Sequence, residues 1–519
     1  MVLSIAVFYL FSTYIMPPPP RQSARAVQQR SSSAVSRPLQ SAVEVPVTLP
    51  PHDTAQSVKD IRVETDLYRA TFSTRGATLK RLVLKQYREN AAGKEITLIG
   101  EDAPDNYTLV TDARGIAVDP VAVYSVNTDE ITVSRGEKKE LLFSWISPQG
   151  LMIRKSYTFQ GDSYGIVLSQ VLKNGSAARQ EGTLTLLLNN PATPRTDDTR
   201  FEQMGAVTFA DATLKVDPVK SLEKGAKQYD KGILWTGFDD KYFIGAVLAT
   251  NNSIAQVSIA KNSSGREIST VSFTPVSLNS GQEANREAKL YFGPKDLDIL
   301  KSQGNELERA IDLGWFSALA KPMLHILKFL YRYVHNYGIA IIIVTVVLKV
   351  LFFPLTYKSY KSMKDMQKLQ PKMAALKEKF KNDRDAMNRA VMELYKTHKV
   401  NPMGGCFPML VQIPVFFALY KALMFSIELR HAPFFFWIQD LSGKDPYYVT
   451  PLIMGATMFI QQKMTPNAGM DPTQAKMMLM LPVVFTFMFL NFPSGLVLYW
   501  LVNNVLTIGQ QYYINKQLT

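Results

Sequence analysis

Residues 345–354, TVVLKVLFFP, close an apolar run that begins at Tyr337, and they hold one lysine, Lys349. The run itself reads as membrane, because 338–355 is the first of five apolar stretches of roughly membrane-spanning length; the others are 407–427, 447–462, 477–492 and 495–512. A cation near the middle of a span costs a few kcal/mol even on lenient insertion scales. Two readings of Lys349 are open. Its aliphatic stem can snorkel and carry the ammonium toward cytoplasmic headgroups, or the residue can face a water-filled groove with Thr345, one helical turn away on the same face.

The rest of the chain is not apolar. It has 519 residues, 46% of them hydrophobic, and residues 58–310 read as a polar, strand-rich globular domain. The formal charge of +14 comes with no zinc pattern, aromatic RNA-binding signature or helix-turn-helix spacing, so nucleic acid recognition is not expected. Between Tyr357 and Cys406 there are twelve Lys and Arg against five acids. That concentration in a short inter-helix loop is what the positive-inside rule predicts for cytoplasm. The one cysteine, Cys406, excludes an intramolecular disulfide, and the five histidines are too scattered for a metal motif.

Along the chain, 1–16 reads as an N-terminal transmembrane helix, retained rather than cleaved because it lacks a basic n-region. Residues 17–57 open with four prolines and continue as a Pro/Ser/Arg/Gln-rich flexible linker. From 58 to 310, runs such as KSYTF, YGIVLSQVL and GTLTLLLNN alternate with turn signals, which predicts an antiparallel β-sandwich. Residues 311–337 predict a basic amphipathic helix lying in the interface, with Leu319, Met323, Ile326, Leu327, Leu330 and Val334 on one face. Spans then follow at 338–355, 407–427, 447–462, 477–492 and 495–512, six with the first helix. They are separated by a cytoplasmic basic hairpin at 356–406, a loop on the outer side at 428–446, which the resemblance given below makes periplasmic, and a cytoplasmic loop at 463–476. In the hairpin, Met366, Leu369, Met373, Leu376 and Phe380 form one apolar stripe and Met387, Val391, Leu394 and His398 or Tyr395 a second, with Asn382-Asp383 as the N-cap between them; a solvated linker is the alternative. The basic loop fixes the orientation: N-terminus inside, β domain outside.

An enzyme needs carboxylates, a nucleophile with its base, or a metal set at positions that converge. The five spans hold no aspartate or glutamate, and no HExxH, GxSxG or paired-aspartate pattern occurs there. No catalytic residue, metal site or cofactor is expected. The spans do hold Gln412, Gln461, Gln462, Tyr499, Asn503 and Asn504, and several prolines that kink helices. Methionine is dense from 352 to 480, either as core filler or as a surface that accepts varied apolar partners. A solute transporter or channel is the runner-up, disfavoured by the missing membrane acids and internal repeats.

KVNPMGGCFPMLVQIPVFFALYKAL (399–423), ELRHAPFFFWIQDLSGKDPYY (428–448) and FPSGLVLYWLVNN (492–504) closely resemble the YidC/Oxa/Alb family of membrane-protein insertases. YFGPKDLDIL (291–300) and WTGFDDKYFIGAVL (235–248) are similar to its Gram-negative periplasmic domain. The resemblance implies an α-helical multi-pass inner-membrane protein with a five-helix insertase core and a periplasmic all-β supersandwich, a fold also seen in galactose mutarotases. The core is expected to enclose a hydrophilic, positively charged groove open to cytoplasm and lipid. Lys349 stands where many relatives have arginine, which keeps the charge and loses the planar fork. Thr345, Tyr499 and Trp500 match groove-lining positions, and Ile413 and Phe416 match apolar substrate contacts. Implied partners are newly made membrane proteins, the Sec translocon, membrane lipids, and ribosomes, which in the absence of a long basic tail after Thr519 would meet 357–406 and 463–476.

Overall fold

The computed structural model describes residues 57–89, 93–100, 107–190, 205–262, 265–380, 383–398, 400, 407–465 and 472–518. The expected first helix at 1–16 and nearly all of the 17–57 linker lie outside the described residues. Among the described residues the N-terminal half is built from strands, organised as a five-stranded, a nine-stranded and a six-stranded sheet. Neighbouring strands pair antiparallel, except that Asp60–Thr65 lies parallel to Glu130–Val133.

Period-2 patterning explains how the sheets stack. In Leu151–Gln160 the inward positions are Leu151, Ile153, Lys155, Tyr157 and Phe159, all buried. This alternation drives a lysine into the core, and the core uses it. Lys155 Nζ donates to the carbonyl of Leu109 at 2.5 Å and reaches that of Gly76 at 3.5 Å, while Tyr157 Oη donates to Ala77 O at 2.8 Å. Gly76, Ala77 and Leu109 all have positive φ and lie in turns folded under the sheet, where their carbonyls lack ladder partners. Two same-face side chains thus satisfy buried backbone acceptors that would otherwise destabilise the fold.

Helices follow: α1 (Leu297–Gln303), α2 (Ser317–Val334), α3 (Tyr337–Leu351), α4 (Phe353–Lys368), α5 (Gln370–Lys379), α6 (Arg384–Thr397), α7 (Phe407–Phe425), α8 (Val449–Met464), α9 (Pro472–Phe489) and α10 (Ser494–Leu518). Side-chain caps set several starts. Asn336 accepts from Ile339 N, Asp296 from Asp298 N and Ile299 N, and Asp383 from Asp385 N and Ala386 N.

Three expectations change in detail. The run 338–355 is not one rod: α3 ends at Leu351 and α4 leaves it at 58°, with Phe352 between them and Pro354 in the first turn of α4, where its missing N–H is tolerated. The 366–380 stripe is likewise divided at Leu369, because Pro371 opens α5; α5 and α6 still pack, through Tyr395 Oη on Met373 Sδ at 3.2 Å and Lys372 Nζ against His398 Nε2 at 2.9 Å. Helix α2 does not turn the expected face outward as a unit. Leu327, with Ala320 and Leu324, is buried, and Met323, Leu330 and Val334 pack inward, whereas Leu319 and Ile326 stay exposed with Phe329 and Tyr333.

The six expected spans are not reproduced helix by helix. Among the described residues no single helix is both long and apolar enough to cross a membrane, and only the bent α3–α4 pair passes together. Length is not the obstacle for α10, whose 25 residues reach about 37 Å at ~1.5 Å each; its Asn, Thr and Gln positions are. In α7 and α9 the apolar portions are the shorter segments Val411–Phe425 and Met477–Phe489.

The two halves meet at Lys328 on α2. Its ammonium lies 3.0 Å from Asp296, 2.8 Å from Asp298 and 2.8 Å from Glu428, tying the base of the β domain to the loop after α7. Burial opposes the charge, but Glu428 and the two aspartates outweigh it and hold the Lys328 pKa above its ordinary value. Arg430 adds a hydrogen bond to Glu89 O at 3.0 Å and stacks over Tyr242 and Phe243.

Lys155 gives the β domain a defined pH response. Burial pushes its pKa down to about 7 from the ordinary 10.5. Between those values the unfolded chain binds the extra proton, so stability rises with pH there; below the folded value both states carry the proton, and the burial penalty stays at its full size, independent of pH. Compared with Lys155→Met, the wild-type chain gains stability as pH rises from about 7 to about 9. Thermal melts of the purified protein followed by β-sheet circular dichroism check this; a pH-independent difference contradicts it.

Candidate functional site

A polar stripe runs along α10. Asn503, Asn504, Thr507, Gln510 and Gln511 recur at helical spacing, and each is hydrogen-bonded to another helix. Gln412 on α7 donates to Asn503 Oδ1 at 3.1 Å, and Asn504 reaches Thr457 on α8 at 3.5 Å. Lys349 Nζ on α3 donates to Thr507 Oγ1 at 2.6 Å, and Gln510 donates to the Lys349 carbonyl at 3.2 Å. Gln511 donates to Met464 O at the end of α8 at 2.6 Å and accepts from Tyr360 Oη on α4 at 3.5 Å.

The hydroxyl of Thr507 suits its position. Its proton is committed to Asn503 O at 2.6 Å, which leaves oxygen lone pairs for the Lys349 ammonium. Thr507 is only 8% exposed and Lys349 is half-buried, so the charge sits at the edge of the bundle with its head held toward α10. The Lys349 ammonium thus has a protein partner in addition to whatever lies on its open side.

Apart from the Lys349 group, the expected residues on α7 and α10 form a second, aromatic group. Tyr499 and Trp500 on α10 meet Phe416 on α7: the Phe416 ring stacks at 6.3 Å on Tyr499 and lies edge-on at 4.7 Å to Trp500. Tyr499 is buried at 3% exposure, Trp500 and Phe416 are half-buried, and Trp500 also contacts Phe485 and Phe489 of α9. Ile413 is half-buried, three residues before Phe416 on α7. Thr345 stands apart from both groups. It is 1% exposed, and its hydroxyl donates to Ile341 O on its own helix at 2.6 Å rather than facing Lys349's partners.

Sequence reasoning left Thr507, Gln510 and Gln511 unassigned. The signal was present, as polar residues continuing the Asn503-Asn504 stripe with period 3 to 4 on an otherwise apolar helix. It also passed over Lys421, a second lysine inside the 407–427 stretch, whose ammonium lies 5.0 Å from the centre of the Phe425 ring. Among the described residues no group of three or more His, Cys, Asp or Glu could hold a metal.

Comparison with known proteins fixes the class. A family model described as YidC periplasmic domain matches residues 60–326, and one described as 60Kd inner membrane protein matches 329–519. A relative from Geotalea uraniireducens named membrane protein insertase YidC is 58% identical over 100% of this chain and 98% of its own length. Another with that name, from Geobacter metallireducens, is 58% identical over 100% of this chain and 97% of its own. A solved structure described as an active YidC insertase with its first transmembrane domain resolved overlaps 88% of this chain and 93% of that chain, at 16% identity and a TM-score of 0.38. The chain belongs to the YidC family of membrane protein insertases, which is not a family of enzymes. Its β-sandwich, α1 and the first part of α2 fall in the periplasmic-domain match, and α3 to α10 in the inner-membrane-protein match.

Thr507→Val removes the acceptor of a charge-assisted hydrogen bond and leaves Lys349 unpaired, at an expected loss of about 1.5 kcal/mol. Thr507→Ser keeps the hydroxyl and stays near wild type. Thermal unfolding in detergent, read by tryptophan fluorescence, distinguishes the two.

Proposed function

We propose that the protein inserts newly made membrane proteins without covalent chemistry, using the polar ladder of α10 and its Lys349 cation as the receiving surface. The observation that carries this reading is the juxtaposition of a half-buried ammonium, a row of amide and hydroxyl groups, and an apolar aromatic cluster within one bundle. The polar or acidic part of a client is drawn toward Lys349, and its apolar helix passes along Phe416, Ile413, Trp500 and Tyr499 into lipid. Bilayer hydrocarbon penalises an unpartnered polar segment by several kcal/mol per group; a hydrated cationic recess shortens the apolar path the segment must cross.

The finer reading follows. Helices α3, α7, α8, α9 and α10 span the inner membrane, with a further span at 1–16 and the N-terminus in the cytoplasm. The α5–α6 hairpin, rich in lysine, receives clients on the cytoplasmic side, and it and residues 463–476 are the ribosome-facing loops. The Sec translocon is a partner for some clients, and the same surface assists folding and assembly. The Thr507 bond is the resting state of Lys349, exchanged for a client carboxylate or for water during insertion. Thr345 serves this site indirectly, by keeping α3 closely packed beneath Lys349.

Lys349→Ala reduces insertion of single-span clients with acidic periplasmic tails several-fold in reconstituted vesicles, and Lys349→Arg restores it, measured by protease protection of the tail. Full insertion by the Ala variant overturns the electrostatic part of the proposal.

A further inference from the structure

The loop between α7 and α8 carries a second surface that the insertion mechanism does not use. Residues 432–438, APFFFWI, contain no charge. Phe434 turns inward against the start of α3: a Cβ on Gly338 would lie 2.0 Å from the Phe434 ring, and Asn336 Nδ2 donates to Phe434 O at 3.3 Å. Ile438 and Leu441 are buried beneath the loop. Phe435 is half exposed with its ring 4.7 Å from that of Phe434, and Phe436 points the other way. Phe436 is 86% exposed, and its backbone has φ of 57°, a left-handed conformation that a bulky aromatic rarely adopts.

The backbone of this tip is closed on itself. Phe434 N donates to Ile438 O at 2.9 Å, Ile438 N to Phe435 O at 3.2 Å and Leu441 N to Ala432 O at 3.0 Å; Gln439 Nε2 donates to Phe436 O at 2.8 Å. Asp440 accepts from His431 N and Ser442 N, so its carboxylate is turned inward as a brace. Water would satisfy these carbonyls without internal bonds and does not favour an exposed phenyl ring, whereas a loop dipping into lipid must satisfy its own backbone and can bury exposed rings. The Phe329 and Tyr333 rings, 5.1 Å apart, are exposed on the last turns of α2, close in sequence to the Asn336 corner against which the tip is held.

We infer that the 434–437 tip is a lipid anchor: Phe435 and Phe436 insert at the boundary between acyl chains and headgroups on the periplasmic side, and hold the α3–α7–α8 end of the bundle at a fixed depth. The inference rests on the reading of α7 and α8 as spans, since the loop joins their ends and lies where a span meets the interface. The strained Phe436 conformation is retained because it aims the ring outward.

The chain's single cysteine makes the test direct. In a Cys406→Ser background, spin labels are placed singly at Phe436→Cys, at Phe487→Cys on the exposed face of α9, and at Lys220→Cys on the surface of the β domain. Their collision rates with oxygen and with a water-soluble nickel chelate are measured in phospholipid vesicles. The anchor is supported if the oxygen-to-nickel ratio at 436 is several-fold above that at 220 and falls between those at 220 and 487. A nickel-accessible 436 with a lipid-like 487 overturns the anchor and leaves the membrane reading standing. A label at 436 shielded from both reagents means that protein covers the tip, which also overturns it. Nickel access at both 436 and 487 refutes the spanning arrangement, and the anchor with it.

Discussion

A polar side chain placed among apolar helices is tolerated only if a hydrogen-bond partner answers it, and α10 is where this chain concentrates partners from other helices. Its Asn, Thr and Gln positions are bonded to α3, α4, α7 and α8, so the helix serves as the common post around which the bundle is arranged. Packing elsewhere follows. Gly455 on α8 has a hydrogen where any Cβ would lie 2.0 Å from Thr486 Oγ1, which lets α8 and α9 approach closely. The aromatic group of Phe416, Tyr499, Phe485, Phe489 and Trp500 fills the bundle beside the ladder.

The β domain obeys the same rule in a different medium. Its turns at Gly76, Ala77 and Leu109 place carbonyls under a sheet, and Lys155 and Tyr157 supply the donors. At its base, Lys328 answers three carboxylates contributed by α1's N-terminal turn and by the loop after α7. Removing the lysine would leave like charges facing one another in a partly buried joint. The joint thus ties the end of α7 to the β-domain base through a single shared ammonium.

Much of this was legible in the sequence. Alternating apolar positions announced the strands, Asp383 announced the start of α6, and an uncharged run with one lysine pointed to Lys349. What was not legible depended on where helices bend and which faces meet. The 337–368 segment reads as a span followed by a loop, yet Phe352 and Pro354 turn it through 58° and bring Tyr360 and Lys364 beside α10. An i, i+4 rule put Thr345 with Lys349 on one face, but that rule does not tell which neighbour a hydroxyl chooses. Thr345 found the carbonyl one turn back, and Lys349 found Thr507, 158 residues away in sequence. Periodicity gives helix α2 one apolar face and an interfacial position, but cannot say that much of that face packs inward while Leu319 and Ile326 stay exposed.

The Lys349–Thr507 contact also bears on why lysine serves at this position. A guanidinium presents five donors in a fixed plane, and a buried one needs several acceptors placed to match. The side chain next to Lys349 offers one hydroxyl oxygen whose proton is already given to Asn503 O, and the nearby Gln510 amide donates to the Lys349 backbone instead of accepting from its head. An ammonium needs only one good acceptor to be held in place, and its two remaining protons stay available to whatever approaches from the open side. On the proposed reading, selectivity at this point is for negative charge and not for the geometry of a particular carboxylate, which suits a surface that must receive many different chains.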